Sequence, residues 1–173
     1  MSRLTIREEV EGDIPAIHAL TRAAFAKAPH ADGNEQDIVD ALRADGDLAL
    51  SLVATNMDDA IIGHLAFSPV TISDGSKGWF AAGPLSVMPT RQRTGIGSDL
   101  VEGGLARLKA RGANGVVLLG DPGYYVRFGF GTATGLVLPG APSEYFQIKM
   151  LRAASPPTGE VAFARGFSAR PSA

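Results

Sequence analysis

The sequence predicts a single α+β domain built on one mixed β-sheet, and three observations lead to this prediction. Apolar runs separated by short polar turns, around residues 56–59 and 73–78, are typical of antiparallel hairpins. A helical pattern over 95–111 leads into the continuous apolar run 115–119, which is typical of a buried parallel strand. No linker-like segment divides the 173 residues, a length that suits one domain over 1–173.

The first part of the chain predicts a strand followed by two helices. Residues 4–10 alternate apolar and polar side chains, as a half-buried strand does. Asp13 is expected to cap a helix that has Pro15 in its first turn, and Asn34 to begin a second helix that ends near Gly46. The side chains expected on the inner faces of these helices are Ile14, Ile17, Thr21, Ala24, Phe25, Ile38, Val39 and Leu42.

The middle of the chain predicts three antiparallel strands, over 48–55, 60–70 and 79–88. Pro84 interrupts the last of them, and a proline cannot donate a hydrogen bond to a neighbouring strand. The strand is therefore expected to be bulged, splayed or at a sheet edge near this residue.

The remaining elements follow from periodicity and from glycine and proline positions. The long helix over 95–111 is expected to stop at Gly112, because its last turn holds the cations that favour a helix end. Only one or two helical turns fit within 120–130. The closing strands are expected near 134–138, 144–151 and 154–167.

The composition excludes several classes of function. A net charge of −2 argues against binding to a nucleic-acid backbone, and the absence of cysteine excludes disulfides and thiolate ligands. No apolar run reaches the about 18 residues of a membrane helix, and the first residues lack the apolar core of a secretory signal. His18, His30 and His64 lack the spacing of metal ligands, so we expect no metal site. A cytoplasmic protein without nucleic-acid or membrane partners is expected.

Residues 89–100, with the sequence PTRQRTGIGSDL, form a candidate anion-binding loop at the start of the long helix. A helix start exposes unpaired N–H groups and carries about half a positive charge, and Gly95 and Gly97 let an anion approach the backbone. The loop is not a P-loop, because Ser98 follows the second glycine where that motif has lysine. Leu100 stands where a dinucleotide fingerprint has its third glycine. The adjacent basic side chains, which favour phosphate contacts, are Arg91 and Arg93.

The segment 83–130 resembles the acetyl-CoA-binding core of the GNAT family of N-acetyltransferases, and its GDPGYY stretch is similar to the YhbS-like subgroup of that family. The resemblance implies a three-layer α/β/α fold, with a mixed, mostly antiparallel central sheet and one parallel, splayed strand pair. It also implies acetyl-CoA as the cofactor, a cofactor core of about 83–130 and C-terminal strands over about 134–167. The matching residues are Gln92, Gly95 and Gly97 in Q/R-x-x-G-x-G/A, and Tyr125, Gly129 and Phe130 in Tyr-x-x-x-Gly-Phe.

The resemblance further implies roles for individual residues. Tyr125 occupies the position of the general acid that protonates the departing thiolate, and a backbone N–H of 85–88 would polarise the thioester carbonyl. Many family members carry an asparagine before that tyrosine, whereas this chain has Gly120, Asp121 and Pro122 there. The residues implied to bind the cofactor are Leu85, Ser86, Val87, Met88, Gln92, Arg93, Thr94, Gly95, Ile96, Gly97, Ser98, Asp121 and Tyr124.

Glu35, His64 and Asp121 are candidates for the general base, acting directly or through water. At pH 7 a lysine-like amine costs about 4–5 kcal/mol to deprotonate and an α-amine about 1 kcal/mol, so the base matters most for a strongly basic acceptor. Each candidate also has a structural interpretation: Glu35 as a first-turn helix residue, His64 as a hydrogen-bonded core histidine and Asp121 as a helix cap. Tyr125 can likewise be a half-buried aromatic residue.

The hypothesis from the sequence is acetyl transfer from acetyl-CoA to a primary amine of a small molecule or a peptide, by direct attack on the thioester. The alternative is a non-catalytic acyl-CoA-binding or regulatory domain with the same fold. The resemblance also admits a homodimer. The acceptor is not encoded in a motif, because acceptor pockets in such folds come from the loops at 26–36 and 72–79 and from the C-terminal strands.

Overall fold

The computed structural model describes residues 4–29 and 31–169, which form a seven-stranded and a three-stranded sheet with flanking helices. None of the helices in this part of the chain is long and apolar enough to span a bilayer. The helices are α1 (Ile14–Phe25), α2 (Glu35–Ala44), α3 (Ile96–Ala110) and α4 (Pro122–Tyr125). The strands are β1 (Thr5–Glu8), β2 (Leu50–Thr55), β3 (Ile61–Pro69), β4 (Thr71–Ile72), β5 (Trp79–Val87), β6 (Gly115–Leu119), β7 (Gly131–Thr132), β8 (Leu136–Val137), β9 (Phe146–Met150) and β10 (Gly159–Ala162).

The large sheet has the order β1-β2-β3-β5-β6-β9-β7 and contains one parallel pair, β5 with β6. These two strands are hydrogen-bonded only between Trp79–Ala81 and Gly115–Val117. Beyond these residues β5 stays paired with β3 and β6 with β9, so a gap opens between 82–87 and 118–119. The prediction of a mixed, mostly antiparallel sheet with a splayed parallel pair is confirmed. We call the opening between 82–87 and 118–119 the splayed gap.

Pro84 lies where β5 leaves regular pairing. The register with β3 shifts from Leu85 opposite Leu65 to Ala82 opposite Phe67, so the two residues between them bulge out of the ladder. A proline has no N–H to contribute to the ladder, so it is suited to this position. The predicted irregularity of the strand is confirmed.

Helices cover both faces of the large sheet. Leu100 and Leu105 of α3 pack with Leu52 and Phe67 in the main core cluster. Gly104 lies so close to the Phe67 ring that an added Cβ would be 2.3 Å from it, which explains the absence of a side chain there. Because neighbouring strand residues point to opposite faces, Val53 faces away from α3. On this second face lie Ile17 of α1 and Val39 of α2, as the sequence predicted.

Asp13 occupies the N-cap position of α1, as predicted, but its side chain does not cap the helix. Its side chain makes no capping hydrogen bond to α1 and instead accepts from the Arg7 Nη1 at 2.7 Å and from the Val10 N–H at 2.8 Å. The guanidinium of Arg7 holds the pKa of this carboxyl below its usual range. The carboxylate pairs with Arg7 instead of capping α1, because β1 places Arg7 next to the start of the helix. The local sequence does not reveal this contact.

The C-terminal strands depart from the prediction of one mixed β-sheet, because β8 and β10 lie in a second sheet. The segment 154–167 contributes only β10, which joins β4 and β8 in a separate sheet instead of extending the large one. The Asp74 carboxylate accepts from the Thr158 N–H at 3.0 Å, and the Ser73 hydroxyl accepts from the Glu160 N–H at 2.8 Å. These polar contacts hold the start of β10 against the turn after β4.

Candidate functional site

The loop before α3 presents uncapped backbone N–H groups, as the sequence predicted. Gly95 precedes the helix in a left-handed conformation, with φ of +92°, which a side chain would make strained. No side chain caps α3, so the N–H groups of its first turn have no capping partner. Arg93 also has a positive φ, of +63°, so the loop is held in a sparsely populated conformation. This geometry suits a bound anion.

A cavity of about 270 Å³ lies in front of this loop. Its only charged lining residues are arginines, among the residues that the structure describes, so its potential is positive. Most of the residues predicted to bind the cofactor line it, together with two further arginines. The lining residues are Leu85, Val87, Arg91, Gln92, Arg93, Gly95, Ile96, Gly97, Ser98, Tyr124 and Arg127.

Four of the predicted cofactor residues lie outside this cavity lining. Ser86 is buried, and Met88 is half-buried. Thr94 is exposed and donates its hydroxyl to the Arg91 carbonyl. Asp121 is exposed and accepts from the Gly123 N–H at 2.9 Å, so its interpretation as a helix cap is confirmed.

The backbone of β5 has free donors toward the splayed gap. The Met88 N–H donates to the Ile62 carbonyl of β3 at 2.9 Å. N–H groups alternate in direction along a strand, so Ser86 also points its N–H to β3, whereas Leu85 and Val87 point theirs to the gap. The Val87 carbonyl on that side accepts from the Gln92 side chain at 3.2 Å. The donors available at the gap are therefore those of Leu85 and Val87.

Gly97 brings the start of α3 next to Tyr124. A Cβ at this position would lie 2.9 Å from the Tyr124 hydroxyl and 3.7 Å from Leu85 Cδ2. The guanidinium of Arg127 stacks 4.5 Å from the centre of the Tyr124 ring, a cation–π contact that places its charge at the cavity. Sequence reasoning missed Arg127, because it occupies one of the unspecified positions of Tyr-x-x-x-Gly-Phe, and only its place within that landmark could have suggested it.

Tyr125 follows directly and packs among aromatic rings. Its ring centre lies 4.9 Å from that of Tyr124 and 5.9 Å from that of Phe130, both edge-to-face. Burial raises the pKa of the Tyr125 phenol to about 12, so the hydroxyl is protonated at neutral pH. Gly120 makes room for the ring, because a Cβ there would lie 2.5 Å from Tyr125 Cε2.

The comparison of this chain with known protein families agrees with the geometry. The family model described as an acetyltransferase (GNAT) domain matches residues 5–133. The chain belongs to the GNAT family. It is 40% identical over 127 residues to the uncharacterized N-acetyltransferase YhbS of Escherichia coli strain K12. The aligned residues cover 73% of each of the two chains.

Two solved GNAT structures resemble the whole fold. One is a GNAT acetyltransferase from Brucella melitensis in complex with acetyl-CoA, at 44% identity and a TM-score of 0.84, covering 95% of this chain and 98% of the other. The other is YhbS from Escherichia coli in complex with CoA, at 37% identity and a TM-score of 0.88, covering 98% of this chain and 94% of the other. The resemblance drawn from the two sequence landmarks is confirmed.

The three candidate bases of this GNAT chain lie in different surroundings. Glu35 lines a separate cavity of about 630 Å³ between α1 and α2, and its Oε1 accepts from the Asp32 N–H at 2.9 Å. His64 is fully buried in β3, where its Nε2 lies 2.8 Å from the Ser51 hydroxyl. Asp121 is used as a cap. His18 pairs with an aspartate on α2, and His30 lies outside the described residues.

If Tyr125 is the acid that the sequence predicts, replacing Gly120 with alanine is expected to lower kcat about tenfold or more. The new methyl group must displace the Tyr125 ring, and small misplacements of a catalytic group are costly. The affinity for acetyl-CoA, measured by calorimetry, should change less than about twofold. Gly131→Ala is the matched control, since nothing lies within 4 Å of a Cβ at that position. An unchanged kcat in Gly120→Ala would show that the ring position does not matter for turnover.

Proposed function

We propose that this chain transfers the acetyl group of acetyl-CoA to a primary amine of a small molecule or a peptide. The observation that carries the proposal is the uncapped start of α3, which faces an arginine-lined cavity at the splayed gap. The coenzyme complexes of the two similar GNAT structures support acetyl-CoA as the donor. The whole chain is proposed to act as one domain.

The residues of the loop fit the pyrophosphate of coenzyme A. The N–H groups at the start of α3 are suited to donate to phosphate oxygens, and Gly97 keeps the approach free of a Cβ. Arg91 and Arg93 add charge-assisted hydrogen bonds. When bound, acetyl-CoA supplies the activated acetyl thioester.

The splayed gap then orients the reaction. Leu85 and Val87 have N–H groups that face the gap and are suited to polarise a thioester carbonyl between β5 and β6. Tyr125 keeps its proton at neutral pH and is the proposed acid for the departing thiolate. Its pKa of about 12 lies above that of the thiol, so the phenol helps mainly as a hydrogen-bond donor to the charge that develops on sulfur. A thiol with a pKa of about 8.5 leaves easily, so orientation and carbonyl polarisation supply most of the acceleration.

The proposal is tested by calorimetry and by the release of free CoA. Acetyl-CoA is expected to bind at micromolar concentration, and at least one member of a broad panel of small amines and peptides is expected to release CoA. Absence of binding at high micromolar concentration would contradict the cofactor assignment. Binding without release of CoA from any amine would favour a non-catalytic acyl-CoA-binding domain.

A further inference from the structure

A chain of hydrogen bonds connects a buried histidine to the protein surface. The Arg43 guanidinium binds the Glu9 carboxylate at 2.8 Å, and the same carboxylate oxygen is hydrogen-bonded to the Ser51 hydroxyl. That hydroxyl lies 2.8 Å from Nε2 of His64, whose side chain has no exposed surface. Four separate elements of the N-terminal half supply this set of contacts, namely the turn after β1, α2, β2 and β3.

The direction of each hydrogen bond follows from the chemistry of the partners. Glu9 is paired with Arg43, so its carboxylate accepts hydrogen bonds and donates none. Ser51 must therefore donate its single hydroxyl proton to Glu9, and its oxygen can then only accept from His64. The proton of the neutral imidazole is thus on Nε2, and Nδ1 carries a lone pair.

At the buried end of this series of hydrogen bonds, an acceptor nitrogen without a partner lies opposite a hydroxyl without a partner. His64 Nδ1 and Ser86 Oγ are both buried and have no hydrogen-bond partner among residues 4–29 and 31–169. The two residues are directly opposite in the β3–β5 register, so their Cβ atoms are about 4.5–5.5 Å apart on one face of the sheet. Ser86 stands between Leu85 and Val87, whose N–H groups face the splayed gap.

The other end of this series of hydrogen bonds, at Glu9, reaches solvent. A surface cavity of about 290 Å³ is lined by Glu9, Arg43 and Ser51, together with residues of the turn before β2. The hydrogen bonds therefore run from a fully buried acceptor beside β5 to a carboxylate at an open cavity.

Resting on the proposed acetyl transfer, we propose that His64, Ser51 and Glu9 form a relay that carries the amine proton from the reaction site to solvent. A proton reaches His64 Nδ1 from the amine through Ser86 or a water molecule. The Nε2 proton passes to Ser51 Oγ, and the Ser51 proton passes to the Glu9 carboxylate, which releases it to the cavity. One proton enters and one leaves, and no oxidant or further reactant is required. The transfer leaves the ring proton on Nδ1, so this proton must exchange back to Nε2 before the next turnover.

The surroundings of His64 favour a ring that transfers a proton and does not remain protonated. Burial lowers the pKa of His64 to about 4, so the ring is neutral at pH 7 and a protonated ring does not accumulate. Most buried polar side-chain atoms in proteins have a hydrogen-bond partner, whereas Nδ1 of His64 has none within the described residues.

The tautomer of His64 is the first test and needs no substrate. Nitrogen-15 NMR of the full chain, with the His64 signals assigned by their loss in His64→Gln, is expected to show a proton on Nε2 and a bare Nδ1. In Ser51→Ala, where nothing fixes the ring proton, a mixture of the two tautomers is expected. A wild-type ring with its proton on Nδ1 would overturn the relay.

Kinetics of CoA release provide the second test. Ser51→Ala is expected to lower kcat about 100-fold, the lower range for general acid–base catalysis, with acetyl-CoA affinity unchanged within about twofold. Ser51→Thr keeps the hydroxyl and should recover most of the rate, which a packing defect would not allow. Ser68→Ala is the matched control, because Ser68 is a buried serine of the neighbouring strand β3 whose hydroxyl has no hydrogen-bond partner among the described residues. An unchanged kcat in Ser51→Ala would overturn the relay.

The two tests separate the relay from the acetyl transfer itself. Failure of the wild type to release CoA with any amine contradicts the proposed function, and the tautomer measurement then decides whether the relay geometry exists. Normal turnover in the wild type and in Ser51→Ala contradicts the relay alone.

Discussion

Replacing Gly97 with tryptophan is expected to weaken acetyl-CoA binding at least about 100-fold, or about 2.8 kcal/mol. A Cβ at this position already lies 2.9 Å from the Tyr124 hydroxyl, so the indole must occupy the cavity of about 270 Å³ in front of the loop. The same side chain covers the first N–H groups of α3, which have no capping side chain. Both effects remove the anion site, and calorimetry with acetyl-CoA measures the loss.

Ala106→Trp is the matched control for this substitution. Ala106 is exposed on the same helix and lies away from the cavity lining, so the affinity for acetyl-CoA should stay within about twofold of the wild type. Thermal unfolding should show that both variants are folded. Binding of acetyl-CoA to Gly97→Trp with wild-type affinity would contradict the assignment of the loop to the pyrophosphate.

Replacing Tyr125 with phenylalanine is expected to lower kcat on the order of 100-fold, because the phenol is the proposed proton donor to the thiolate. The affinity for acetyl-CoA should remain within about twofold, since the aromatic contacts with Tyr124 and Phe130 do not need the hydroxyl. Tyr145→Phe makes the same chemical change at an exposed position and should leave kcat unchanged. Equal kcat values for Tyr125→Phe and the wild type would remove the acid role.

The pH dependence gives this substitution a second readout. An ordinary phenol loses its proton near pH 10, whereas burial raises the pKa of Tyr125 to about 12. The acid form is present below the pKa, so the ratio of wild-type to Tyr125→Phe kcat should stay constant up to about pH 11. A fall of this ratio near pH 10 would show that the phenol titrates like an exposed one.

The architecture of the sheet was predictable from local patterns. Strand alternation, the continuous apolar run of β6 and the position of Pro84 each reflect which face of a strand is buried and where its ladder can be broken. These are properties of single segments and their near neighbours. The anion loop was predictable for the same reason, because Gly95 and the start of α3 are adjacent in the chain.

What the sequence did not reveal depends on contacts between distant segments. The Asp13 side chain does not cap α1, because its carboxylate is paired with Arg7 on β1. Arg127 enters the cavity only through its stacking on Tyr124. The hydrogen bonds of His64 depend on the register of β2 with β3 and on the position of the turn after β1, and no local pattern determines them.

The most direct test of acetyl transfer is the mass balance between the two products of the reaction. The wild type, incubated with acetyl-CoA and an amine that releases CoA, should form acetylated amine and free CoA in equal amounts by mass spectrometry. Gly97→Trp under the same conditions should form neither above the uncatalysed background. CoA released by the wild type without an equal amount of acetylated amine would contradict the account.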